Sequence, residues 1–129
     1  MALDPEHAYV HLAADGHGVV TPGGAAFWQL PPAELARFEQ GWLVSEFVCS
    51  ADWGTWEMHP CGDEFVYLLS GDVELRWETA EGLHHERLTG RGATLIPRGL
   101  WHTARVYVPS RLLFITRGEG TQHRAVGES

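Results

Sequence analysis

Residues 55–77 read TWEMHPCGDEFVYLLSGDVELRW. Val73, Leu75 and Trp77 alternate with Glu74, Arg76 and Glu78, the period of a strand with one buried and one wet face. Upstream, residues 64–70 form a second, more apolar run, and Ser70-Gly71-Asp72 reads as a tight turn between the two. Glu64 opens the apolar run. A carboxylate at such a position is costly to bury unless it is paired or bound to a metal. His59 stands just before it, across the turn Pro60-Cys61-Gly62-Asp63.

Working outward, short apolar runs recur with Gly and Pro between them. They predict strands at Trp42–Cys49, Thr55–Met58, 64–70, 73–79, 84–88, 93–96, 102–108 and 112–116. Ala80-Glu81-Gly82 reads as a hairpin turn. Short strands at this spacing predict a sandwich or small barrel. Upstream, Ala8–Leu12 reads as a short strand and Thr21-Pro22-Gly23-Gly24 as a turn. Residues 31–38 predict a helix, with Pro tolerated in its first turn, Leu35 and Phe38 on one face, and Gly41 as its stop. The expected organisation is an N-terminal arm with one short helix (1–41), a β-barrel (42–117) and a loose polar tail (118–129), all within one domain.

The composition bounds the function. A chain of 129 residues with 44% hydrophobic residues builds one core without disulfide staples. The net charge is −8, with nine arginines, no lysine and seventeen acids, which sets nucleic acid aside as a partner. No apolar run approaches the ~20 residues of a membrane span. Residues 1–5 lack the basic and apolar regions of a secretory signal. Two cysteines, Cys49 and Cys61, make no disulfide framework and favour the reducing cytoplasm.

His59, Glu64 and His102 carry the chemistry. His102 follows Pro97-Arg98-Gly99-Leu100-Trp101 and opens another apolar strand. Two imidazoles and a carboxylate at strand starts can converge on one ion. The alternative is a polar cluster satisfied by hydrogen bonds at a barrel mouth.

These residues resemble the cupin superfamily. Its first motif runs Gly, five residues, His-x-His, three or four residues, Glu, six residues, Gly. Glu64, six residues and Gly71 fit that ending, and His59 falls on the second His. The first His position falls on Glu57, a departure, and Gly54 stands nearer than the pattern asks. The second motif runs Gly, five residues, Pro-x-Gly-x-x-His, three residues, Asn. Pro97, Gly99 and His102 match it, while Arg91 and Val106 hold the places of its Gly and Asn. The resemblance implies a two-sheet jelly-roll barrel around a divalent metal ion held by His59, Glu64 and His102, with Glu57 as fourth ligand. Glu57 and His59 are two apart, so a strand presents both to one face. The alternative for Glu57 is to pair with an arginine, or to accept hydrogen bonds, beside a three-ligand site. A two-His, two-carboxylate set suits Fe, Mn, Ni or Zn. Cys61 mimics the His-x-His spacing after His59, as an alternative ligand, a reactive thiol or a plain turn residue. His7, His11, His17, His84, His85 and His123 read as surface or end residues.

The function implied is a metal-dependent enzyme on a small organic molecule, of dioxygenase or isomerase type. The other reading is a non-catalytic small-molecule sensor, and a metal-free barrel is a third. With no lysine, and with Tyr67 and Tyr107 on the parity opposite Glu64 and His102, metal-centred chemistry is favoured over acid–base catalysis by side chains. Phe47, Val66, Leu68, Trp77, Ala104 and Phe114 are the candidate pocket walls. A homodimer is expected, because Phe27-Trp28-Gln29-Leu30 must cover an outer sheet or a partner and small cupins commonly pair.

Overall fold

The structure is a computed structural model that describes residues 2–127; Met1, Glu128 and Ser129 lie outside the described residues. The chain runs β1 (Ala8–Leu12), β2 (Gly18–Pro22), α1 (Ala25–Trp28), α2 (Pro32–Leu35), a single 3-10 turn (Ala36–Phe38), β3 (Trp42–Cys49), β4 (Thr55–Met58), β5 (Glu64–Thr79), β6 (Gly82–Thr89), β7 (Gly92–Ile96), β8 (His102–Thr116) and β9 (Gln122–Ala125). The fold is all-β and antiparallel, as the strand periodicity predicts.

Strands β5 and β8 are the spine. They pair from Phe65 opposite Ile115 to Trp77 opposite His102. β6 and β7 lie along the other edge of β5, whereas β3, β1 and β2 extend the sheet beyond one half of β8. The other half of β8 carries β4, and β4 in turn carries β9.

Ser70-Gly71-Asp72, expected as a turn, is instead a bulge inside one long strand, with the register slipping between Leu68 and Val73. The sequence signal for a turn and for a bulge is the same, a small flexible residue flanked by polar ones. The slip has a use. Inward residues are even-numbered before it (Glu64, Val66, Leu68) and odd-numbered after it (Val73, Leu75, Trp77), so both halves face one core. Gly71 is required there. Its φ is +117°, and a Cβ would meet Ser110 Oγ at 2.2 Å. The Ser110 hydroxyl mends the broken ladder by accepting the Asp72 N–H at 3.0 Å and donating to the Val108 carbonyl at 2.7 Å. β8 likewise runs unbroken where two strands are expected.

The core joins Val66, Leu68, Val73 and Leu75 to Ala104 and Leu112. A second small cluster, Tyr9, Phe27 and Leu43, seats the N-terminal segment on the sheet. The expected single helix is two short helical pieces, α2 and the 3-10 turn, and α1 precedes them unexpectedly. Pieces this short hold by packing, not propensity: Phe27 sits edge-on to Tyr9 at 5.2 Å and against Phe38 at 5.2 Å. The tail, expected to be loose, forms β9 in register with β4 from Thr55 opposite Ala125 to Met58 opposite Gln122. Its composition is polar because its contribution is backbone pairing rather than apolar burial.

Candidate metal centre

β4 ends at Met58, so Glu57 and His59 leave its last turn of pleat on the same face. The chain turns through Pro60–Asp63 and re-enters the barrel as β5, with Glu64 its first residue. His102 is the first residue of β8 and pairs with Glu57 across the ladder. The two loops are joined by one backbone bond and one backbone-to-carboxylate bond. The Gly99 N–H donates to the His59 carbonyl at 2.9 Å, and the Arg98 N–H donates to Asp63 Oδ1 at 2.9 Å. That zipper aligns the starts of β5 and β8, and so brings Glu64 and His102 together.

The four side chains expected at the site meet there. His59 Nε2 lies 3.3 Å from Glu64 Oε2 and 3.7 Å from Glu57 Oε2; His102 Nε2 lies 3.3 Å from Glu64 Oε1 and 4.0 Å from Glu57 Oε2. Glu57, His59 and His102 each offer a donor atom within 4.8 Å of the others. His102, Glu64 and His59 are 1%, 4% and 6% exposed, while the Glu57 side chain, at 31%, stands at the open side.

Three atoms at the centre, His59 Nε2, His102 Nε2 and Glu64 Oε1, are buried without a hydrogen-bond partner. Buried polar atoms in that condition are uncommon and costly. The hydrogen bonds behind the site say what they are. Thr121 donates its only hydroxyl proton to the Gly118 carbonyl at 2.8 Å, so its oxygen must accept from His59 Nδ1–H, also at 2.8 Å. A neutral His59 is thereby fixed with a bare Nε2 lone pair aimed at a carboxylate. Lone pair facing carboxylate is repulsive unless a cation stands between them. Thr116 donates to Glu64 Oε2 and so holds that carboxylate from behind.

The charges agree. Burial works to raise the Glu64 carboxyl, but the facing His102 and His59 overcome it and lower it to about 2. Burial works to lower His59, and the facing Glu64, with Glu57 beyond it, turns that into a net rise. The site therefore favours an anionic Glu64 with positive charge beside it. A divalent ion on two imidazoles and carboxylate fits this donor set.

Three residues that the sequence does not flag belong to the neighbourhood. Thr121 orients His59, Thr116 holds Glu64, and His123, on β9 opposite Glu57, places Nε2 3.6 Å from Glu57 Oε1. Cys61 is exposed and stands outside the group of donors. Trp101 lies under the Arg124 guanidinium at 4.7 Å. A cavity of about 890 Å³ opens beside the donors. Of the expected walls, Phe47 and Phe114 line it, whereas Val66, Leu68, Trp77 and Ala104 are packed into the core. Its roof is the N-terminal segment, through Phe27, Trp28, Leu35 and Phe38.

No protein-family model matches the sequence, and no curated protein matches it. Solved structures do. Peruvianin-I, a cysteine peptidase from Thevetia peruviana latex, superposes with a TM-score of 0.55 at 18% identity, over 66% of this chain and 56% of that one. The oxalate decarboxylase of Bacillus subtilis gives 0.52 at 14% identity, over 66% and 24%. The hydroquinone 1,2-dioxygenase of Sphingomonas sp. TTNP3 gives 0.51 at 17% identity, over 58% and 58%. The match thus spans less than two thirds of each neighbour. A peptidase, a decarboxylase and a dioxygenase share the architecture, so the fold alone does not choose the chemistry. With its antiparallel strand order and these likenesses of architecture, this chain is a small cupin-fold domain.

Proposed function

We propose that the protein binds one divalent metal ion through His59, Glu64 and His102, with Glu57 as fourth ligand, and acts on a small organic molecule as a dioxygenase or isomerase. The observation that carries this is the trio of buried, unpartnered donor atoms, His59 Nε2, His102 Nε2 and Glu64 Oε1, converging on one point. A bound ion would supply Lewis acidity, and with iron or manganese also a redox centre, at the cavity wall. The chain's own residues do the rest. Thr121 holds the His59 tautomer, Thr116 orients Glu64, and the N-terminal segment lays an aromatic wall over the cavity. Among the similar folds, the Bacillus subtilis oxalate decarboxylase has Mn(II) centres, which supports the reading by analogy of architecture only.

Reloading the purified protein with Fe, Mn, Ni or Zn, followed by elemental analysis, should give about one ion per chain. A stoichiometry near zero with all four overturns the site. Dioxygen uptake, or interconversion of an oxo-acid or sugar, separates the enzyme from a binding module. We further propose a homodimer in a reducing cytoplasm. Support comes from the free edge of β2, where Val19 and Val20 are exposed, and from two cysteines that are both free. Light scattering that gives a monomer at micromolar concentration overturns the dimer.

A further inference from the structure

The charge of the cavity wall narrows the ligand. Phe27, Phe38, Phe47, Trp53 and Phe114 make an aromatic lining, and its volume, about 890 Å³, suits a molecule of one or two rings. The ionisable side chains on it are Glu39, Glu57, Glu64, His59, His123 and the thiol of Cys49. None of the nine arginines lines it, and the chain has no lysine. Several arginines are committed elsewhere: Arg87 to Asp72, Arg111 to Glu46 and Arg124 to Glu78. A divalent ion would be balanced in charge by Glu57 and Glu64 alone, so the centre holds no surplus positive charge for an anionic group on the ligand.

Resting on the metal reading above, we propose that the natural occupant is an uncharged ring compound that presents one hydroxyl or carbonyl oxygen to the donor cluster. The cavity selects against ligands bearing a further carboxylate or phosphate. Ring burial against the aromatic wall supplies the affinity. An added anion away from the donor cluster would lose its water, meet no arginine or lysine, and face Glu39, so the discrimination comes from an unpaired charge rather than from shape.

Calorimetry with 2-naphthol and 6-hydroxy-2-naphthoate tests this, since the two share ring and hydroxyl and differ only in the carboxylate. Both are titrated into Zn-loaded and metal-free protein. 2-Naphthol should bind saturably to each form, and 6-hydroxy-2-naphthoate about tenfold or more weakly to each. Glu39→Arg should strengthen the naphthoate several-fold and leave 2-naphthol within about twofold. Glu39→Gln carries the same sign at smaller size and serves if the arginine variant does not fold. Equal or tighter binding of the naphthoate, no saturable 2-naphthol binding at millimolar concentration, or no response to either Glu39 variant overturns the proposal. If the protein takes up no zinc, the metal reading fails, while the metal-free titrations still decide the character of the cavity.

Discussion

The Nδ1 proton of His59 connects the site's geometry to its chemistry. Thr121 can only accept it, which in the neutral ring leaves Nε2 bare and facing Glu64. Thr121→Val should therefore lower metal affinity about 10–100-fold, the usual cost of losing the partner that orients a ligating imidazole. Zinc titration by calorimetry reads it, and an unchanged affinity would show that the hydrogen bond is idle. His102→Ala leaves one imidazole and should abolish tight binding. Glu57→Gln keeps a neutral coordinating oxygen at the half-exposed corner, so it should weaken binding less than His102→Ala does. Full-strength binding by Glu57→Ala would remove the fourth ligand and leave the other three in place. Burial pushes the Cys49 thiol up, only partly offset by its hydrogen bond with Trp53, which works against its thiolate form.

Two elements do work that their sequences hide. The β5 bulge carries both halves of the strand's apolar face into one core. Gly71→Ala would place a Cβ 2.2 Å from Ser110 Oγ at a φ of +117°. We expect a loss of about 2 kcal/mol or more in urea unfolding, and a loss below about 0.5 kcal/mol would mean that the bulge relaxes freely. The C-terminal strand matters in a different way. By composition, residues 118–129 have little to bury, and their removal should cost little. In the structure β9 pairs with the whole of β4, whose only other ladder partner among the described residues is His102 of β8, and Thr121 reaches back to His59. A chain ended at Arg117 should melt more than about 5 °C lower and bind zinc more weakly. A tail that contributed nothing would leave both unchanged.

For the molecule as a whole, the site makes stability depend on pH in two opposite senses. Glu64 is lowered from 4.5 to about 2 in the fold, so its contribution is present above pH 4.5 and is lost as pH falls toward 2. His59 is raised above 6.5, so its contribution is complete below 6.5 and is lost as pH rises through its elevated value. The metal-free protein should then melt highest between about pH 4.5 and 6.5, with a decline on the alkaline side. Excess zinc should abolish that alkaline decline, because the ion replaces the proton between His59 and Glu64. Melting curves across pH, with and without zinc, check it; a metal-free profile that rises steadily into alkaline pH would contradict the paired arrangement.

The sequence by itself determined the class of fold and pointed to the four side chains that meet at the centre. Period-two alternation at Val73–Trp77 and the turn residues before Glu64 and His102 are local signals, and strand pairing obeys them. Glu57 was legible too, because the strand pleat puts residues 57 and 59 on one face. Tertiary structure alone decided the bulge at Gly71, the pairing of β9 with β4, and the roof of the cavity. It also recruited Thr116, Thr121 and His123. The His59–Thr121 bond joins residues 62 apart, and the Thr116–Glu64 bond residues 52 apart. Contacts at that separation depend on which strands lie side by side, and no periodicity within either segment encodes its neighbour. The wall went the same way. Val66 and Phe114 have the same alternation and the same apolar character and share one core, yet only Phe114 also reaches the cavity, because only packing distinguishes two residues that both point inward.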